Sequence, residues 1–275
     1  MISIKNIFKP KTPAAEVVFN PNDLGALHSL LLKMSIGTGD QPGIDGENYV
    51  LKLVRDQLLT MHGQDKELTL FDIGANTGAY LGELTQVFAQ TNYKVHSFEP
   101  SQSSLAKLKA KFSANKSVII VNKAISSKSG TAVLFSDRET SGMASLVKRD
   151  LGYLNIDHGK TEETVATSTI DEYCQQNKLE RVDFIKLDIE GFELEAFKGA
   201  KKQLPVTNFM QFEFGGCNID TRTYFKDFFM LLNPQFKIYR ILSESLCLIP
   251  EYNQLYEQFQ TTNFLCVNRS LELNW

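Results

Sequence analysis

Five acidic residues of this 275-residue chain stand where short apolar runs end: Asp72, Glu99, Asp188, Glu190 and Glu213. A carboxylate can accept paired hydroxyl groups, attract a cation or remove a proton from a substrate. Such apolar runs are typical of buried strands, and open α/β sheets bind ligands at the carboxyl ends of their strands. We therefore expect these carboxylates to gather around one ligand site.

The first strand leads through a glycine turn directly into a helix, as in nucleotide sites. The apolar run covers residues 68–73, and Gly74 and Gly78 flank a tight turn around Asn76. The turn lacks the third glycine of the dinucleotide fingerprint and the Lys-Ser/Thr pair of a phosphate loop. S-adenosylmethionine carries a sulfonium and an ammonium but no phosphate, so it suits a turn preceded by Asp72. The alternative is that this carboxylate only caps the turn.

The second predicted strand ends at Glu99, about two dozen residues past the glycine turn, where nucleotide-binding folds place an acid on the ribose. A carboxylate suits this role because it accepts two O–H donors side by side. A surface acid without a ligand is the alternative. The third predicted strand runs into Asn122, Lys123 and Ala124, whose backbone groups could contact an adenine ring.

The fourth predicted strand, residues 184–189, carries Asp188 and Glu190 at its end. Because strand residues alternate between faces, the two acids are predicted to share a face, and two unpaired acids on a core strand would be costly. A positive partner is therefore expected, which could be a sulfonium, a metal ion, or Lys186 in a purely structural ion pair. Glu213 stands near the end of the fifth predicted strand.

A hydroxyl substrate would need a base within hydrogen-bond reach of its proton. Asp188, Glu190 and Glu213 are the candidates, and the sequence does not order them. The same acids could hold a divalent cation, since oxygen ligands suit magnesium. Metal dependence is not favoured, and no residue is assigned as a metal ligand. His158, in a candidate substrate loop, is the one histidine considered as a base.

Composition narrows the class of protein. The net charge is −3 with acids and bases interspersed, so no basic stripe predicts a nucleic-acid partner. The four cysteines are widely spaced, which argues against structural zinc and favours a reducing compartment. No apolar run has membrane-spanning length, and the first 13 residues lack the apolar core of a signal peptide. We expect a cytoplasmic protein without a membrane partner.

Helical patterns before the first strand predict an N-terminal extension over residues 1–67, followed by a catalytic domain over residues 68–275. The glycine-rich segment 35–47 is either a connector or a mobile lid over the ligand. Apolar runs at 236–242 and 262–267 predict two final strands that could pair as an antiparallel edge, because loop residues dominate between them.

Six stretches, in chain order, resemble the FkbM family of S-adenosylmethionine-dependent methyltransferases: FDIGANTGAYLGEL, VHSFEPS, NKAIS, SGMASL, TSTIDEY and DFIKLDIEGFELEAFKGA. The resemblance covers roughly residues 68–215. It implies an α/β, Rossmann-like sheet of seven strands, mostly parallel with the last strand antiparallel, and with helices on both faces. It also implies that the cofactor lies across the carboxyl ends of the first four strands.

The resemblance assigns roles to single residues. Asp188 and Glu190 match the family's acidic pair beside the transferring methyl group. The residues that it places against the cofactor run from the methionine part to the adenine: Asp72, Gly74, Ala75, Asn76, Gly78, Asp188, Glu99, Asn122, Lys123 and Ala124.

Methylation of a hydroxyl on a sugar or natural product is the activity that the resemblance implies, with a small-molecule or glycan acceptor. The sequence does not identify the acceptor, exclude N-methylation or predict an oligomeric state. Two alternatives remain open at this point. One is a nicotinamide oxidoreductase, which shares the strand, turn and helix and the position of Glu99. The other is a scaffold without catalysis.

Overall fold

A computed structural model of the chain describes residues 21–39 and 44–272, with side chains from residue 25 onward. Residues 1–20 of the predicted extension, and residues 40–43 of its possible lid, lie outside the described residues. The helices are α1 (Pro21–Lys33), α2 (Glu47–His62), α3 (Ala79–Val87), α4 (Gln102–Phe112), α5 (Ile170–Gln176), α6 (Glu193–Lys198), α7 (Cys217–Thr221) and α8 (Phe225–Leu232). The strands are β1 (Leu68–Ile73), β2 (Tyr93–Phe98), β3 (Val118–Val121), β4 (Ala124–Ile125), β5 (Gly130–Ser136), β6 (Thr161–Ser168), β7 (Phe184–Leu187), β8 (Phe209–Phe214), β9 (Phe236–Ile241), β10 (Leu246–Ile249) and β11 (Thr262–Asn268).

The large sheet confirms the predicted α/β class. Its order is β10-β9-β11-β8-β7-β1-β2-β3, and the five strands from β8 to β3 are parallel. The last strand, β11, runs antiparallel to both of its neighbours, β8 and β9. The order reverses at β1, whose neighbours are β2 and β7, so a crevice opens there at the carboxyl ends of the strands.

The far edge of the sheet differs from the sequence prediction. The sheet has eight strands, because residues 246–249, expected to be loop, form β10 beside β9. The pair of β9 and β11 is antiparallel as predicted, but it lies inside the sheet instead of forming its edge. The four residues of β10 are all apolar, but the run is short and stands in a segment dominated by loop residues, so it was not predicted as a strand.

Helices cover both faces of the large sheet. On one face α2, α3 and α4 bury apolar side chains against residues of β1, β2, β7 and β8. On the other face α5, α6 and α8 bury theirs, in a core rich in phenylalanine. The contacts of α2 follow helical spacing, with Val50, Leu51, Val54 and Leu58 buried.

A second sheet, β4-β6-β5, follows β3 in the chain. A bridge between Phe135 and Ser145 holds the loop after β5 against this small sheet. Thr169 caps α5 by accepting the backbone N–H of Glu172, as its sequence pattern predicts. The loop after β5 thereby becomes a wall beside the large sheet.

Candidate functional site

A cavity that encloses about 560 Å³, open solvent included, lies at the carboxyl ends of β1, β2 and β7, where the strand order reverses. Open parallel sheets bind ligands at this position. The residues of the predicted site that line it are Gly74, Asn76, Glu99, Lys123, Ala124, Asp188 and Glu190. The residues of the predicted site that do not line it are Asp72, Ala75, Gly78, Asn122 and Glu213.

Close packing against neighbouring atoms requires glycine at both ends of the turn. Gly74 has φ 93°, and a Cβ there would overlap the carbonyl oxygen of Asp188, so the glycine lets the end of β1 approach the end of β7. Gly78 has φ 81°, and a Cβ there would lie 2.5 Å from the ring of Phe112 on α4. Of these two glycines, Gly74 alone lines the cavity.

Glu99 ties the turn to the end of β2. Its Oε2 accepts the backbone N–H of Asn76 at 2.7 Å, and its Oε1 accepts that of Ser101 at 2.8 Å. The residue is 6% exposed, and burial raises the pKa of its carboxyl group to about 7 against the lowering effect of the two donors. Each oxygen keeps a further lone pair, so the carboxylate can still accept hydroxyl groups from the cavity.

Asn122 supports the wall beside the cavity. Its side-chain amide donates to the carbonyl oxygens of Glu99 at 3.0 Å and Pro100 at 2.9 Å. These two hydrogen bonds fix the start of the segment in which Lys123 and Ala124 line the cavity. The adenine contact at these residues stays a prediction.

The predicted strand alternation does not apply to the acidic pair. β7 ends at Leu187, and Glu190 has φ 55°, so Asp188 and Glu190 belong to a turn. The hydroxyl of Ser145 donates to the backbone carbonyl of Glu190 at 2.8 Å and joins this turn to the loop after β5. A left-handed backbone at a non-glycine residue is costly, and such strain is common at functional sites.

The side chain of Glu193 stabilises this turn by accepting its backbone N–H groups, a role that the sequence did not predict. Its carboxylate accepts the backbone N–H groups of Ile189 at 2.8 Å and Gly191 at 3.0 Å. The side chain is fully buried, and burial raises its pKa to about 7. An acid in the first turn of α6 was the available signal, because carboxylates satisfy the free N–H groups near helix starts.

Asp72 lies inside the sheet, in a row of four buried polar residues on adjacent strands: Ser97 on β2, Asp72 on β1, Lys186 on β7 and Gln211 on β8. The Ser97 hydroxyl donates to Asp72 Oδ2 at 3.0 Å. Burial raises the pKa of the Asp72 carboxyl group, opposed by the Lys186 ammonium. The Asp72 carboxyl group thus lies buried within the sheet and does not line the cavity.

Lys186 is the centre of this row. Its Nζ lies 3.0 Å from Asp188 Oδ2, 3.8 Å from Glu47 Oε1 and 4.1 Å from the ring centroid of Tyr80. Burial alone would lower the pKa of the ammonium, but the carboxylates of Asp188, Glu47 and Asp72 raise it. The structural ion pair considered for Asp188 is therefore present, while a third of that side chain stays exposed at the cavity.

A second cavity, of about 900 Å³ open to solvent, adjoins the first. Gly142 and Glu190 line both cavities, and Glu213 and Cys217 line the second. A ligand in one cavity can therefore approach a ligand in the other beside Glu190. Loop residues 141–146 face mainly the first cavity, so the predicted substrate loop stands between the two.

A possible metal site lies at Glu190, Glu213 and Cys217. Each of these residues offers one ligand atom, and the three atoms lie within 4.8 Å of one another. Arg149 already supplies positive charge, since its Nη1 donates to Glu190 Oε2 at 2.8 Å. Burial and the neighbouring carboxylates raise the pKa of the Cys217 thiol, so it stays protonated. A sulfur ligand and an adjacent guanidinium fit magnesium poorly, since this ion prefers oxygen ligands. The absence of a metal stays a prediction.

His158 is 1% exposed and joins two parts of the loop after β5. Its Nδ1 accepts the backbone N–H of Arg149 at 3.2 Å, so Nε2 carries the proton and donates to the carbonyl oxygen of Met143 at 2.6 Å. Both ring nitrogens are used for packing the loop. The structure therefore assigns this histidine a supporting role and not that of a base.

The fold and this site define an α/β protein with a cavity at the carboxyl ends of its parallel strands, beside a second open cavity. No helix within residues 21–39 and 44–272 is both long and apolar enough for a bilayer crossing. The family model of the methyltransferase FkbM domain matches residues 72–240. The chain belongs to this family.

Its relatives are similar over part of their length. The hexuronic acid methyltransferase AglP of Haloferax volcanii is 26% identical over 169 residues, which are 60% of this chain and 61% of that protein. The chain thus spans about three fifths of this relative. The structure of the FkbM methyltransferase from Methylobacillus flagellatus has a TM-score of 0.42 at 16% identity, covering 73% of this chain and 43% of that one. The plantazolicin methyltransferase BpumL, solved in complex with SAH, has a TM-score of 0.40 at 10% identity and 91% coverage of both chains.

Proposed function

We propose that this protein transfers a methyl group from S-adenosylmethionine to a hydroxyl group of a sugar or natural-product-like acceptor. The observation that carries the proposal is the junction of two cavities at Glu190, with Glu99 and Asp188 in the first and Glu213 in the second. Membership of the FkbM family supports methyl transfer. The name of the Haloferax relative, a hexuronic acid methyltransferase, supports a sugar acceptor.

The donor set of the first cavity suits S-adenosylmethionine, which supplies an electrophilic methyl group on a positively charged sulfur. Glu99 would accept the two ribose hydroxyl groups, and Asp188 would attract the ammonium group. Lys123 is the one basic side chain among the described residues of the lining, so little there would neutralise a pyrophosphate. The excess of acidic over basic side chains in the lining disfavours a nicotinamide dinucleotide, and the family match supports the methyl donor.

Glu213 is the base that we propose for the acceptor hydroxyl. Glu213 stands at the end of β8, 6% exposed, and lines the second cavity. Taking the proton of the acceptor hydroxyl would increase the negative charge on its oxygen as the new bond to the methyl carbon forms.

A screen for methyl transfer tests this proposal. The protein is incubated with S-adenosylmethionine labelled in its methyl group and with neutral sugars, uronic acids, lipids, hydroxylated peptides and RNA. We expect label in a sugar or natural-product hydroxyl, stable to mild base that cleaves methyl esters. Label in a carboxyl group, an amine or RNA would overturn the acceptor class. Binding of a nicotinamide cofactor in place of the methyl donor would overturn the activity.

A further inference from the structure

Glu47, the first residue of α2, contacts the buried polar row although it lies outside residues 72–240. Its Oε1 accepts a 2.6 Å hydrogen bond from the side-chain amide of Gln211 and lies 3.8 Å from Lys186 Nζ. Helix α2 thus places a carboxylate beside Lys186, whose ammonium also pairs with Asp188 in the first cavity. None of the six stretches that resemble the FkbM family includes this residue, which ends the glycine-rich segment 35–47.

The start of α2 is fixed in position by its neighbours. Gly46 has φ 78°, and a Cβ there would overlap the carbonyl oxygen of Leu242 after β9. Asp45 Oδ1 accepts the backbone N–H of Glu47 at 3.0 Å. The Glu47 carboxylate is therefore held against the sheet by backbone packing as well as by its own hydrogen bond.

Lys186 connects Glu47 to the cavity. Its ammonium lies between Glu47 and Asp188, and it is 3.0 Å from the oxygen of Asp188, whose side chain is one third exposed. A cation that is shared by several carboxylates neutralises each of them less than it would neutralise a single partner, so each carboxylate attracts other positive groups more strongly. Without the charge of Glu47, the ammonium would turn towards Asp188 and neutralise it more completely. The pull of Asp188 on a positively charged ligand would then weaken.

We propose that Glu47 is a positioning residue for the cofactor site, which acts through Lys186 to keep Asp188 oriented and negative towards the ammonium group of the methyl donor. This proposal rests on the proposed function, since it takes S-adenosylmethionine as the ligand. On this proposal α2 belongs to the cofactor site, and the predicted boundary at residue 67 does not mark a separable extension.

The protonation of Glu47 gives the proposal a distinctive pH dependence. Burial raises the pKa of this carboxyl group to about 7, with Lys186 opposing. Its charge is therefore present above pH 7 and is lost as the pH falls below that value. The charged and titratable groups that face it are Lys186, Asp188, Asp45, Glu83 and Tyr80. Asp72 interacts with the same Lys186 ammonium.

The test compares the full-length wild type with Glu47→Gln, which keeps the shape and an acceptor for Gln211. Dissociation constants for S-adenosylmethionine and S-adenosylhomocysteine are measured by calorimetry at pH 8 and pH 6. We expect about fivefold weaker binding of both ligands at pH 8, because both carry the ammonium group. At pH 6 the difference should shrink to less than about twofold, since the wild-type residue is then protonated too. The control is Asp56→Asn, an exposed acid on the same helix, which should match the wild type.

Two results would overturn the proposal. One is equal affinity of Glu47→Gln and wild type at pH 8, and the other is the same loss at both pH values, as a purely structural defect would give. If Glu47→Gln does not fold, Glu47→Asp keeps the charge but withdraws it from Lys186. Its binding at pH 8 should then be weaker than that of the wild type, and unchanged binding would overturn the proposal. A wild type that binds neither ligand would refute the proposed function as well.

Discussion

Glu99 accepts the backbone N–H of Asn76 at 2.7 Å, so the acid at the end of β2 fixes the turn that follows β1. The same carboxylate lines the first cavity. Its two oxygens are therefore oriented before any ligand arrives, and a ribose would bind to a carboxylate that needs no rearrangement. Such preorganisation reduces the entropic cost of binding.

Affinity for S-adenosylmethionine should fall as the pH is lowered through about 7. The pKa of Glu99 in the free protein is raised to about 7, so below that pH the group is protonated. Ribose hydroxyl groups are donors, so they bind the ionised carboxylate of Glu99. Below pH 7 the carboxyl group must therefore release its proton when the ligand binds, and the affinity falls by up to about tenfold per pH unit. Calorimetry in two buffers of different ionisation enthalpy would detect that proton. Binding without proton release between pH 6 and pH 7 would be incompatible with the proposed ribose contact.

Glu193→Ala should lower the free energy of unfolding by about 2–4 kcal/mol, because two buried N–H groups of the Asp188–Gly191 turn lose their acceptor. Chemical denaturation measures the change. Glu195→Ala on the same helix is the control, since that carboxylate is partly exposed and should cost less than about 1 kcal/mol. Equal losses in the two variants would mean that Glu193 does not support the turn.

Glu213→Gln should reduce kcat by about 10²- to 10⁴-fold, the usual contribution of a general base. The dissociation constant for S-adenosylmethionine should stay within about twofold of the wild type, since Glu213 lines only the second cavity. Single-turnover kinetics with the acceptor found in the screen would separate the two effects. Cys217→Ala, at the neighbouring position, should retain most of the activity. A variant that turns over normally would exclude Glu213 as the base.

Turnover should be unchanged in an excess of a metal chelator. Arg149 supplies the positive charge beside Glu190, and the neutral thiol of Cys217 is a poor ligand for magnesium. The measurement is the initial rate with and without chelator, followed by addition of Mg²⁺ or Mn²⁺. Loss of activity that one of these ions restores would establish a metal site at this cluster.

The sequence was sufficient to predict the parts of the fold that follow local patterns. The strand, turn and helix at residues 68–82 and the strand before Asp188 are marked by apolar runs and glycines, and the structure has elements there. The family resemblance then supplied the antiparallel last strand, which is observed as β11. β10 was missed because its four apolar residues form a short run within a segment dominated by loop residues.

Contacts across the sheet were not predictable from one sequence. Ser97, Asp72, Lys186 and Gln211 become neighbours only through strand register, and Glu47 reaches them from 139 residues before Lys186 along the chain. The sequence therefore suggested that Asp72 faces the ligand, whereas the structure places it inside the row. Likewise, the position of Glu190 depends on a left-handed backbone that strand periodicity could not indicate.

Calorimetric titration of S-adenosylmethionine into the wild type and Glu99→Ala at pH 8 tests whether strand-end carboxylates hold this ligand. Glu162→Ala, an exposed acid on β6, serves as the control. We expect saturable one-site binding by the wild type and the control, and at least about tenfold weaker binding by Glu99→Ala, since hydrogen bonds to a charged group contribute about 1.5–3 kcal/mol each. Equal affinity of Glu99→Ala and wild type, or no binding to the wild type, would show that the cavity has another occupant.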